Sequence, residues 1–178
     1  MSKRQPLTPA DEQLLIDLLD RVGTPMPAGV FNALAAKVPL TGIEAVILRR
    51  SDRQLKVLLL QRPKNDKHWP EQWHMPGTIL RNSDAPEPLN IEGSFSAAFR
   101  RIEDRELKAK FLSLPKFAGY YFHRAERGVV NSILFCCEAA EGAQGTYFPV
   151  DALPENFIEC HRPMIAQAVK EYERTEHP

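Results

Sequence analysis

The sequence predicts a layered α/β domain: a mixed sheet with helices on both faces, preceded by a helical extension. Three observations carry this. Two β-rich runs, "IEAVILRR" and "LKVLLLQR", are joined by the polar "SDRQ" and read as a hairpin. An amphipathic stretch near the middle has the period of a helix. Two further β-rich runs, "PKFAGYYFHR" and "GVVNSILFCCEA", follow before a closing helix over about 161–173. Among the 178 residues, 23 basic and 23 acidic side chains cancel. No global field attracts nucleic acid or an anionic membrane.

The elements follow in order. Thr8 is placed to cap a helix with Pro9 at its first position, acids in its first turn and Gly23 to stop it. Leu14, Leu15, Leu18, Leu19 and Val22 form one stripe, which predicts packing on the main domain. A second short helix is expected over about 28–37, so residues 1–40 form the extension and residues 41–178 the domain. The stretch "RNSDAPEPLN" predicts an exposed loop. The helix over about 94–109 puts Phe95, Ala98, Phe99 and Ile102 on one face, with Arg100, Arg101, Asp104, Arg105 and Lys108 opposite.

The N-terminus has no secretory apolar segment, and no window approaches the roughly 18 apolar residues of a membrane span. Cys136, Cys137 and Cys160 cannot all pair, and adjacent cysteines in an apolar run read as buried thiols. A reducing, cytoplasmic setting follows. No histidine has metal-ligand spacing with cysteine, so zinc is not expected.

Three spaced features, "WHMPGT", Glu92 eight residues before Arg100, and "AAFRRIED", resemble the Nudix family. Its signature runs Gly-x5-Glu-x7-Arg-Glu-hydrophobic-x-Glu-Glu-x-Gly after a Trp-x-hydrophobic-Pro-Gly-Gly lead-in. The lead-in is matched by Trp73, Met75, Pro76 and Gly77, and the Glu-x7-Arg element by Glu92 and Arg100. "LLLQRP" and "TYFPVDALP" resemble flanking family segments, so the similarity runs from about Ile43 to Pro154. The resemblance implies a Nudix-type α/β/α sandwich with a mixed β-sheet, and hydrolysis of a nucleoside diphosphate linked to another group, assisted by Mg²⁺ or Mn²⁺.

The departures are as specific as the matches. Fourteen residues separate Gly77 from Glu92, where the signature has five. The three metal-binding Glu positions of the box helix fall on Arg101, Asp104 and Arg105. Acids at i, i+3 and i+4 lie within about 100° around a helix and form an oxygen cluster for hard cations. Two arginines there change the formal charge from −3 to +1. A dication is repelled, whereas guanidinium groups suit phosphate oxygens.

The expectation is therefore a Nudix-like domain with an eroded metal site that binds a nucleoside diphosphate-type or other phosphorylated small molecule, with Arg101 and Arg105 as phosphate ligands and little or no hydrolysis. A divergent hydrolase using Glu92 and Asp104 as catalytic and metal-binding acids, with Mg²⁺ or Mn²⁺, is the alternative. A protein-interaction domain, with homodimerisation compatible, is a third. Replacement acids could come from Asp84 and Glu87 in the insertion or from Glu138 and Glu141. Trp69, Trp73 and His74 read as core residues before base-stacking ones.

Overall fold

β1 (Leu40–Ser51) is the spine of the molecule, a twelve-residue strand that pairs on both edges. It runs antiparallel to β2 (Gln54–Gln61) through the expected hairpin, whose turn residues Asp52 and Arg53 take positive φ. On its other edge it is parallel to β6 (Gly128–Cys137), which is antiparallel to β5 (Lys116–Ala125). β3 (Trp73–His74) and β7 (Thr146–Pro149) extend β2, and β4 (Gly77–Ile79) pairs with the start of β1. The sheet is mixed and seven-stranded. The molecule is a computed structural model describing residues 6–23, 25–125 and 128–176.

Strand alternation divides the core. Val46, Leu48, Val57 and Leu59 pack with Met164, Ile165 and Ala168 of α4 (Arg162–Glu176) on one face. On the other, Ile43, Ala45, Ile47 and Leu58 pack with Ala98 and Ile102 of α3 (Ile91–Ile102). This is the expected α/β/α sandwich.

α1 (Pro9–Asp20) starts as read: the Thr8 hydroxyl accepts from the Asp11 N–H, and Asp11 accepts from the Thr8 N–H. Its packing differs from expectation. No residue of α1 is buried, and Leu14, Leu15, Leu18 and Leu19 all remain exposed. Amphipathic spacing defines a face that can be covered, and no described part of the chain covers it. α2 (Ala28–Ala35) does dock, with Ala35 buried.

α3 begins earlier than its apolar period suggests, because the Asn90 side chain accepts from the Gly93 N–H at 2.6 Å and caps it. After Ile102 the chain adopts one π-helical turn over Glu103–Leu107. Ile102 and Leu107, five positions apart, are both fully buried, a spacing that an α-helix would place on different faces. Lys108 closes the turn in the left-handed conformation, φ 53°.

Candidate functional site

The expected exposed loop after β4 folds back onto the box helix. Its residues 82–84 form a 3₁₀ turn, and Asp84 is buried against Arg101. The guanidinium Nη2 donates to Asp84 Oδ2 at 2.8 Å, and Nη1 donates to Oδ1 in a second, shorter bond. Nε donates to the Thr78 hydroxyl at 3.2 Å and Nη2 to the Ile79 carbonyl at 3.1 Å. Burial alone would push the Asp84 carboxyl up, but the bonds from Arg101 and the Arg81 N–H leave it below the usual carboxylate value. Polar backbone and side-chain partners thus hold Arg101 in place. Its expected phosphate role meets a guanidinium whose donors are largely committed.

The clamp does not neutralise its surroundings. Arg81 is depressed by partial burial and by the positive charges of Arg101 and Arg105. Arg81 and Arg101 both act on Asp84, and Arg105 adds positive charge felt by Arg81, so the guanidinium groups outnumber the carboxylate that Arg101 pairs with.

The π turn also moves the register of the signature. The left-handed residue is Lys108, where the signature ends in glycine, so its two consecutive acid positions fall on Arg105 and Glu106 rather than Asp104 and Arg105. Asp104 points outward, exposed, and pairs with Lys110 at 3.1 Å. Glu92 lies exposed in the first turn of α3. Twelve positions separate the two, roughly 18 Å along a helix at ~1.5 Å per residue. Glu92 and Asp104 cannot chelate one ion, which corrects the pairing expected of them. Arg100 is exposed on α3, eight positions or roughly 12 Å from Glu92.

Glu106 turns inward instead. Its Oε2 accepts from the Gly77 N–H at 3.0 Å. Glu44 of β1 lies on the other side of the same glycine, so close that a Cβ at position 77 would collide with its carboxylate. This explains glycine at 77 better than backbone freedom does. Burial raises both acids to about 7; for Glu44 the neighbouring charge of Glu106 adds to it, while the Ser132 hydroxyl, donating at 3.3 Å, opposes it. Glu44 is a single acid within the apolar run "IEAVIL", and Glu106, although near the apolar face at helical spacing from Ile102, falls outside the signature's acid positions in the register set by Glu92 and Arg100. The available signals are a lone acid in an apolar strand and a helix lacking its terminal glycine.

A cavity of about 570 Å³ opens over these acids. Apolar residues of the extension, among them Met26, Phe31, Leu34 and Val38, form one wall. Arg62, Arg81, His74 and His161 line the polar side. Arg105 lines an adjoining cavity of about 510 Å³ that shares Arg62, His74 and Glu106 with the first. Trp69 also borders the main cavity, whereas Trp73 packs edge-on against Phe148 in the α4-side core. The Pro76 carbonyl accepts from the Ala45 N–H at 2.9 Å and fixes the lead-in to β1. Burial pushes the Cys136 thiol up to about 12 and raises Cys137 as well, which makes both inert at neutral pH.

The residues present do not fit the family's carboxylate cluster. Among the described residues no group of three or more His, Cys, Asp or Glu side chains is arranged to hold a metal ion. Glu138 is within 3.5 Å of the Tyr172 hydroxyl and brings no further acid to Glu44 and Glu106 there. Among the described residues, no helix is long and apolar enough to cross a membrane.

No family model matches the sequence, and no curated protein matches it. Solved structures do. The NUDIX domain of Shewanella oneidensis NrtR, determined with ADP ribose, superposes with a TM-score of 0.53 over 83% of this chain and 99% of that one, at 20% identity. The MutT protein of Methanosarcina mazei Go1 gives 0.56 over 77% and 98%, at 17% identity. A MutT/nudix family protein from Enterococcus faecalis gives 0.56 over 96% and 76%, at 15% identity. The chain has the Nudix fold.

Proposed function

We propose that this Nudix-fold domain binds a phosphorylated small molecule of the nucleoside diphosphate type, directly through arginine and with little or no hydrolysis. The observation that supports it best is the mutual repulsion of Arg81 with Arg101 and Arg105, of which only Arg101 forms the two-pronged pair with Asp84. Asp84 orders Arg101, and the uncompensated charge of Arg81 and Arg105 is left for an anion. Two of the three signature acid positions are arginine in the straight-helix register and in the π-shifted one alike, so the arginine excess is common to both. The ligand class is that of the NrtR NUDIX domain, which was determined with ADP ribose. Three free cysteines suit a reducing, cytoplasmic setting.

The test is thermal stabilisation by ADP-ribose and by pyrophosphate in EDTA. Both ligands raise Tm in the native chain, and Arg81→Ala/Arg105→Ala removes the shift while leaving the unliganded Tm nearly unchanged. A second reading, a divergent Mg²⁺-dependent hydrolase, draws on the Glu44–Glu106 pair beside Gly77. It predicts no stabilisation without metal.

A further inference from the structure

The cavity over Gly77 has two histidines whose tautomers are set by one residue. His74 Nδ1 lies 2.6 Å from the Met75 carbonyl, which can only accept, so Nδ1 holds the proton and Nε2 is a bare acceptor. His161 Nδ1 lies 3.2 Å from the Met75 N–H, which can only donate, so Nδ1 is bare and Nε2 holds the proton. The rings meet edge to face with centroids 6.4 Å apart. Both line the cavity, His74 is only 6% exposed, and neither Nε2 has a hydrogen-bond partner among the described residues. Burial lowers the two rings to about 4 and about 3, so both are neutral at physiological pH.

A neutral acceptor and a neutral donor in one cavity that apolar residues of the extension also line bring no charge to a phosphate. They match a planar, uncharged group with a donor next to an acceptor, the edge shared by nucleobases and carboxamides. Resting on the phosphate reading above, we infer that His74 and His161 read such a planar edge on the ligand, the apolar wall of Phe31 and Leu34 packing its ring while Arg81 and Arg105 take its phosphate. Neither histidine changes protonation in the process. The pair discriminates by hydrogen-bond direction, because a ligand presenting two donors or two acceptors leaves one buried nitrogen unmatched.

Three probes share one ribose 5-phosphate and differ only at C1: AMP, nicotinamide mononucleotide and ribose 5-phosphate itself. They are titrated calorimetrically into the full chain, and the imidazole ¹⁵N resonances of His74 and His161 are followed in the labelled protein. AMP, nicotinamide mononucleotide or both bind at least about tenfold tighter than ribose 5-phosphate and shift both Nε2 resonances, and the stronger of the two identifies base or carboxamide. Ribose 5-phosphate leaves those resonances in place. His161→Phe abolishes the discrimination while keeping the ribose 5-phosphate affinity, and the resonance test stands on the native chain if that variant fails to fold. Equal binding of all three, or binding without histidine shifts, overturns the inference and leaves the phosphate reading intact. Binding of none overturns both.

Discussion

Arg101 and Asp84 form a two-pronged, buried ion pair between the box helix and the residues inserted ahead of it; their side chains are 12% and 4% exposed. The loop after β4 and the helix that carries Arg101 are thus tied into one arrangement. A buried arginine needs a counter-charge, and Asp84 of that loop supplies it.

Asp84→Ala leaves Arg101 buried without its carboxylate. Breaking a buried pair from one side costs about 3–5 kcal/mol, read from urea unfolding. Asp84→Leu/Arg101→Met removes both charges and recovers most of that loss. Additive losses in the cycle of Asp84→Leu, Arg101→Met and their combination would show that the two side chains act separately.

Stability depends on pH in two opposed ways. Glu44 and Glu106 stand at about 7 in the fold against 4.5 for an unperturbed Glu. The native state therefore binds more protons between those values, and stability falls as pH rises through that window. Asp84 is lowered, so its contribution is present above 3.8 and is lost on further acidification. His74 and His161, at about 4 and about 3 against 6.5, bind fewer protons in the fold and offset the two acids below pH 6.5. Glu106→Gln raises stability at pH 8 by roughly 1–3 kcal/mol, since a tenfold change in a group's proton affinity on folding corresponds to about 1.4 kcal/mol. A stability difference between the native chain and Glu106→Gln that stays constant from pH 5 to 8 would contradict the Glu44–Glu106 assignment.

The leucines of α1 contribute little to folding. Leu18→Ala changes stability by less than about 0.5 kcal/mol, whereas Leu58→Ala, at a fully buried site, costs about 2–5 kcal/mol. Chemical denaturation of the two variants decides this, and a large loss at Leu18 would mean that α1 is covered in solution.

Arg105→Ala weakens pyrophosphate binding and reduces its salt dependence, because an exposed guanidinium acts partly at long range. Calorimetry at low and moderate ionic strength measures both effects. An unchanged affinity would remove Arg105 from the anion site.

The legible part of this molecule is the part with regular periods. Alternation in "IEAVIL" and "KVLLL" places the hairpin, and the i, i+4 pair Ala98 and Ile102 places the inner face of α3. Thr8 and Pro9 mark the start of α1, yet its leucines cannot reveal that nothing covers them. The site is less legible, since its key contacts break local rules. Helical spacing from Ile102 already puts Glu106 toward the inner face and Asp104 opposite, but not the contact of Glu106 with the Gly77 N–H, which joins residues 29 positions apart. In the sequence Asp84 is only one acid in a polar loop. The tautomers of His74 and His161 depend on the backbone of Met75, a relation visible only in three dimensions.

The proposed phosphate site is Arg81 with Arg105, acting without a metal ion. Calorimetric titration of ADP-ribose in EDTA and again in millimolar Mg²⁺, with product release followed in the same samples, tests it most directly. The account predicts equal affinity in both buffers and little or no turnover. Mg²⁺-dependent hydrolysis of ADP-ribose, abolished by Glu106→Gln or Glu92→Gln, would contradict it.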